Sequence, residues 1–163
     1  MNIIKQQVSL NLDIQKYYLS FFKSQMEKKN GVLFLSRKNN TGKYINSLLQ
    51  KQKQKRFNNK CNLVFFVPLS NSVNANATRR CITAEATNQI ADFLKVEFNQ
   101  TLQNWIYTLS ALDIPRVKIF DVFLAAHDIP ENELSVETLK KQEYRRRIKI
   151  KQTAKTIFKK NIN

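Results

Sequence analysis

Ammonium and guanidinium groups are the chemically active side chains that this 163-residue chain concentrates. Ten of them lie in its last 24 residues, from Lys140 to Lys160, against the single acid Glu143. Twelve more lie between Lys28 and Arg80, inside a stretch of 57 residues, 28–84, that holds no acid at all. The middle is opposite in sign. Residues 84–139 carry three bases and nine acids. The net charge is thus +13 over 1–83 (fifteen cations, two anions), −6 over 84–139 and +9 over 140–163, which accounts for the overall +16. Cations segregated in this way neutralise a polyanion, and nucleic acid is the commonest one. The residues expected to do so are Arg37, Lys38, Lys43, Lys51, Lys53, Lys55 and Arg56 in the first part, and Lys140, Lys141, Arg145, Arg146, Arg147, Lys149 and Lys151 in the last.

Other chemistry has little to stand on. His127 is the only histidine, and at a helix end it serves more simply as a cap or dipole partner than as a catalyst. Cys61 and Cys81 have no Cys/His spacing around them and read as reduced, half-buried thiols. Glu131, Glu133 and Glu137 supply first-turn charge to the last helix before they suggest a metal site. The segment from Arg37 to Lys43 has a phosphate-loop ending, Gly42-Lys43. However, Arg37 stands where the first glycine belongs and Tyr44 where the magnesium-binding hydroxyl belongs. No enzyme, cofactor or metal is expected. Tyr44 and Phe57, close to cations, are the rings nominated to stack on bases.

The elements that must position these charges are mostly helical. Apolar residues from Leu10 to Met26 recur at three- and four-residue steps and predict a helix over 12–26, capped by Asn11 and stopped at Gly31. Val32 to Leu35 and Leu63 to Val67 read as strands, the second buried on both faces and ended by Pro68. Asn39 to Gly42 is a turn signal. Lys43 to Leu49 suits a helix continuing through Arg56, with a return strand as the alternative. Ser70 to Thr78 is a candidate linker. Ala84 to Leu112 carries the longest apolar stripe, with Thr83 as cap and Trp105 buried. Asp113-Ile114-Pro115 and Asp128-Ile129-Pro130 repeat one tripeptide, and each Asp reads as the cap that starts a new element. The first launches a helix over 117–127 with Val117, Phe120, Phe123 and Leu124 inward. Ser135 then caps a long basic helix in which Val136, Leu139, Tyr144, Ile148, Ala154, Ile157 and Phe158 lie roughly on one face.

Two resemblances attach to these segments. The helix over 117–127 and the basic one after it resemble a helix-turn-helix, whose second helix enters the major groove. The connector from Asp128 to Leu134 is longer than that motif's three or four residues, and no base-reading set stands out among so many cations. Thr41 to Leu49 resembles a helix start in ribbon-helix-helix proteins. The helix that family places before it is absent, so nothing is carried over.

The expected fold class is α+β, predominantly helical: a basic N-terminal part (1–69) with two or three short strands, a linker (70–82) and a helical part (83–163) ending in the basic helix. The expected role is non-catalytic binding of DNA or RNA by phosphate neutralisation. The alternative is a structural or assembly subunit of a virion or ribonucleoprotein, meeting nucleic acid or acidic partners. A peripheral membrane role is weaker, because the basic helix lacks a tryptophan and a broad apolar face. No apolar run reaches a membrane span and no signal peptide stands out, so an intracellular site is expected, cytoplasmic or nucleoid-associated, or virion-internal.

Overall fold

The computed structural model describes residues 5–36, 38–52, 61–68 and 79–160. Their contacts divide into two compact units, 1–104 and 105–163, which part within one long helix. Most of the proposed linker lies outside the described residues.

The first unit is built on a four-stranded sheet. Its strands are β1 (Lys5–Leu10), β2 (Glu27–Lys29), β3 (Val32–Phe34) and a fourth at Leu63–Pro68. That fourth strand is an inner one. It pairs antiparallel with β1, Val8 opposite Phe65, and parallel with β3, Phe34 opposite Phe66. The expected burial of this strand on both faces is corrected by the structure: Leu63, Phe65 and Val67 are buried, while Val64 is 38% exposed. One covered face and one wet face is what an antiparallel neighbour permits. The described part of this strand runs to Pro68. The strand at Lys5–Leu10 falls outside the predicted elements, although Gln7-Val8-Ser9-Leu10 alternates out and in.

The first helix, α1 (Lys16–Ser24), is shorter than the predicted 12–26. The cause is Asn62. Its side chain accepts from the Leu12 N–H at 3.0 Å and donates to the Leu12 carbonyl at 2.8 Å, prolonging the β1 ladder through an amide side chain. Leu12 is therefore unavailable to a helix. Asn11 is no cap; the N-cap position is Gln15, without a side-chain bond. Gly31 does not stop this helix either. Asn30 and Gly31 have φ of 51° and 75°, the two-residue hairpin turn whose twist matches the paired strands β2 and β3. The run Lys28-Lys29 consequently lies on an exposed edge strand, where cations discourage further pairing.

The helix predicted after the Asn-Asn-Thr-Gly signal is present as α2 (Asn40–Leu48). Asn39 caps it by accepting from the Gly42 N–H at 2.7 Å, and its amide donates to the Gln25 carbonyl at 2.9 Å, tying the end of α1 to the start of α2. Gly42 is required by space: a Cβ there would fall 1.5 Å from the Ser36 carbonyl oxygen. The helix does not run on to Arg56. Leu49 turns to extended geometry, and Gln50–Gln52 forms β4, paired antiparallel with Arg79–Cys81. In chain order Leu63–Pro68 is thus β5 and Arg79–Cys81 is β6. The N-terminal part accordingly holds more strands than the two or three expected.

Helix α3 (Ala84–Ser110) starts as predicted, with Thr83 Oγ1 accepting from the Ala86 N–H at 3.1 Å. Its first turns enter the sheet's core: Ile90, Ala91 and Leu94 cluster with Val8, Leu10, Phe22, Leu35, Ile45 and Phe65. Phe98 continues the stripe against Tyr17, Tyr18 and Phe21.

The second unit contains α4 (Arg116–Ala126) and α5 (Val136–Lys160), which pack on each other. Ile119, Phe120, Phe123 and Leu124 are buried, and Val117 is exposed instead of inward. Trp105 is half-buried, not the buried centre expected; its ring meets Phe123 edge-on at 5.6 Å. The repeated Asp-Ile-Pro has a role opposite to the one read from sequence. Asp113 and Asp128 have φ of 57° and 51°. Ile114 N–H donates to the Leu109 carbonyl and Asp113 N–H to Ser110; Ile129 N–H donates to Leu124 and Asp128 N–H to Ala125. Both are Schellman stops, with aspartate in the left-handed position usually held by glycine and proline two residues later preventing continuation. The fold is α+β and predominantly helical, as the sequence implies.

Candidate nucleic-acid interface

Helix α5 holds the densest cationic group. Its start is fixed by local chemistry. Ser135 Oγ accepts from the Thr138 N–H at 3.3 Å. Glu137 sits in the first turn, and its hydrogen bond from Lys140, followed by the charge of that lysine, lowers its pKa. Leu139 is fully buried and Glu143 is 6% exposed. Glu143 faces two cations of the following turn, Arg146 at 3.8 Å and Arg147 at 3.7 Å.

The helix changes character after Glu143. From Tyr144 to Ile157 every side chain is exposed except Ala154, which is half-buried. Arg145, Arg146, Arg147, Lys149, Lys151 and Lys155 all lie in this exposed part, and Lys141 is exposed just before it. No described carboxylate pairs with Arg145, Lys149, Lys151 or Lys155. The expected common apolar face is only partly used: Leu139 is covered, whereas Tyr144, Ile148 and Ile157 are exposed. With 21 residues from Lys140 to Lys160 and a net charge of +9 among them, the helix carries about one positive charge per 3.5 Å of axis. Duplex DNA carries one negative charge per about 1.7 Å. The two densities are of the same order. Like charges four residues apart, Arg147 with Lys151 and Lys151 with Lys155, cost a free helix roughly 0.2–0.5 kcal/mol per pair. A bound polyanion would remove that cost.

The first unit contributes fewer described members. Lys38 and Lys43 are exposed, the latter on α2. Lys51 lies on β4 in register with Arg80 of β6, a pairing across 29 residues of sequence that no local pattern reveals. Arg37, Lys53, Lys55, Arg56 and the proposed stacker Phe57 lie outside the described residues. The other proposed stacker, Tyr44, is corrected: it stacks on Phe93 at 4.3 Å and belongs to the packing around the sheet core. The start of α2 is likewise no phosphate cradle, since Asn39 already takes the Gly42 N–H.

His127 is the C-cap residue of α4, buried against Phe123 at 4.6 Å and near Trp105 at 5.9 Å. Burial lowers its pKa, with Asp128 opposing, so it is a neutral packing ring at pH 7 and not a charged dipole partner. Cys61 is an exposed free thiol and not half-buried. Among the described residues no helix is long and apolar enough to cross a membrane. No protein-family model, curated protein or solved structure matches the chain.

Proposed function

We propose that the chain binds nucleic acid, without catalysing a reaction on it, by neutralising backbone phosphates with the cations of α5. The observation that carries this reading is the exposure of Arg145, Lys149, Lys151 and Lys155 on a helical segment that has no acid after Glu143. Packing holds only the first two turns of α5, so the cationic turns are left to a ligand. The acids Asp113, Asp121, Asp128 and Glu131 are exposed in the same unit; they repel phosphate and leave α5 as its attractive element. Recognition through phosphates predicts weak sequence preference and steep salt dependence. Titration of duplex DNA, single-stranded DNA and RNA at two salt concentrations tests it. With about six phosphates neutralised, the log–log salt slope on duplex DNA is near −5. Absence of binding in low salt refutes the proposal, and a shallow slope with one preferred sequence replaces it with base readout.

A second reading, an assembly subunit of a nucleoprotein particle, is favoured by Ile150, Ala154 and Ile157. They recur at four- and three-residue steps on the exposed half of α5. A partner helix would cover such a stripe. A salt-insensitive oligomer in solution would support that role.

A further inference from the structure

We infer that the second face of the four-stranded sheet, the one turned away from the core, is a stacking platform for single-stranded nucleic acid, with Phe34 and Phe66 as the rings that meet bases. The inference rests on the proposed nucleic-acid binding and adds to it a strand form and a second site, in the unit that does not contain α5. Helices α1, α2 and α3 all build the core on one side of the sheet. Leu19, Phe22, Ile45, Ile90 and Leu94 cluster there with Val8, Leu10, Phe65 and Val67, and Leu33 packs against them from β3. Side chains alternate along a strand, so the residues between these belong to the second face. The register gathers them. Gln7 stands opposite Phe66 and Ser9 opposite Val64; Phe34 is in register with Phe66; Glu27 and Lys29 stand opposite Phe34 and Val32. None of these eight residues belongs to the core cluster. The wet face of a sheet is ordinarily polar. Here the two inner strands present Val32, Phe34, Val64 and Phe66, with Val64 exposed and the other three half-buried. An apolar patch rimmed by polar groups marks an interaction surface.

The chemistry of the rim selects the occupant. The Phe34 and Phe66 rings are 5.8 Å apart and tilted by 37°, so adjacent strands offer neighbouring platforms. An aromatic face stacks on any base. Gln7 and Ser9 are exposed beside them, with an amide and a hydroxyl for base edges, and Lys29 is exposed on the opposite rim for phosphate. Glu27 is the one acid among these positions. It meets Lys29 at 3.3 Å, but both side chains are at least half exposed, and such a pair yields its cation at little cost. Lys28 is exposed on the same edge strand. The unit's charge of +13 over residues 1–83 favours a polyanion over a second copy of the same face, which it would repel.

The test uses the full chain, oligothymidylate as an unstructured single strand and a duplex of equal length, each titrated at about 50 and 200 mM salt. Phe34→Leu with Phe66→Leu keeps apolar bulk and charge but removes the aromatic faces. Affinity for oligothymidylate falls about tenfold or more, while the salt slope stays that of the parent because no phosphate contact is lost. Duplex affinity is unchanged, since duplex bases already stack on one another. Phe34→Tyr with Phe66→Tyr retains affinity for oligothymidylate. Should the leucine variant fail to fold, ultraviolet crosslinking of the parent to an iodouracil-substituted single strand carries the test, and the crosslinked peptides contain Phe34 and Phe66. Leucine variants that bind oligothymidylate like the parent, an equal loss on duplex, or crosslinks confined to other peptides overturn the inference. If Lys149, Lys151 and Lys155 changed to Gln still weaken duplex binding, the reading of α5 survives without the platform. A dimer that Val64→Lys disperses places a second copy on this face and likewise overturns the inference alone. A parent chain that binds neither strand form at the lower salt overturns both.

Discussion

Helices α3 and α5 are nearly equal in length, 27 and 25 residues, and they are stabilised in opposite ways. Helix α3 is covered along a stripe that includes Ala86, Ile90, Leu94, Phe98, Leu102 and Ile106. Its exposed side is mixed, with Lys95 paired to Asp92 at 2.9 Å. Helix α5 buries Leu139 and Glu143 and then extends its cations into solvent. A packed stripe makes helical structure independent of any ligand, because tertiary burial outweighs local propensity. An unpacked run of like charges makes helical structure easy to lose and responsive to whatever neutralises it. The first arrangement builds a scaffold. The second keeps charged groups available and sacrifices local stability.

The contrast can be broken at its strongest point first. Phe98→Ala removes a ring that is 1% exposed and in contact with three others. It is expected to destabilise the protein by about 3–5 kcal/mol in urea denaturation. A variant as stable as the parent would remove the scaffold role assigned to α3.

On α5 the expected loss is in binding and not in folding. Lys149→Gln, Lys151→Gln and Lys155→Gln together should weaken duplex binding roughly 100-fold at 0.1 M salt and make the salt slope shallower by about 3. Stability should stay within about 0.5 kcal/mol of the parent, because these are solvated surface positions. Circular dichroism should also show more helix when a polyanion is added. A large drop in stability would mean that the cations serve the fold.

Smaller effects sharpen how the helices end and where packing stops. Asp128→Gly relieves a left-handed backbone that L side chains disfavour, and should stabilise the second unit by about 0.5–1 kcal/mol. Destabilisation would show that the carboxylate, and not the backbone geometry, is what the stop requires. Acid should have a defined effect at the neighbouring residue. Burial depresses the pKa of His127 in the folded protein, so the neutral ring contributes stability fully above the unfolded value of about 6.5. That contribution declines as pH falls below it and is gone once pH has passed the folded value. His127→Phe should flatten this part of the pH–stability curve. Last, Ile157→Ala on the exposed end of α5 should change stability by less than about 0.5 kcal/mol. A larger loss would reveal a partner covering the Ile150–Ala154–Ile157 stripe.

The segregation of charge, the predominance of helix, and the caps Thr83 and Ser135 were determined by sequence alone. Each is a local property: a count, a period of three to four residues, or a hydroxyl three positions before the N–H that it receives. The strands at Val32–Phe34 and Leu63–Pro68 were legible for the same reason. Tertiary structure decided what depends on distant partners or on the sign of a dihedral. The amide of Asn62 shortens α1 from 50 residues away. Asn30-Gly31 became a hairpin turn because a second strand was available to pair. Asp-Ile-Pro became a stop because its aspartates turned left-handed, a choice that the residue type permits without dictating it. The partnership of Lys51 with Arg80 exists only in the register of β4 and β6. Above all, the sequence placed ten cations near the C-terminus, but only packing determined that α5 is covered as far as Glu143 and exposed beyond it. Charge is written residue by residue, whereas exposure is a property of what the rest of the chain fails to cover.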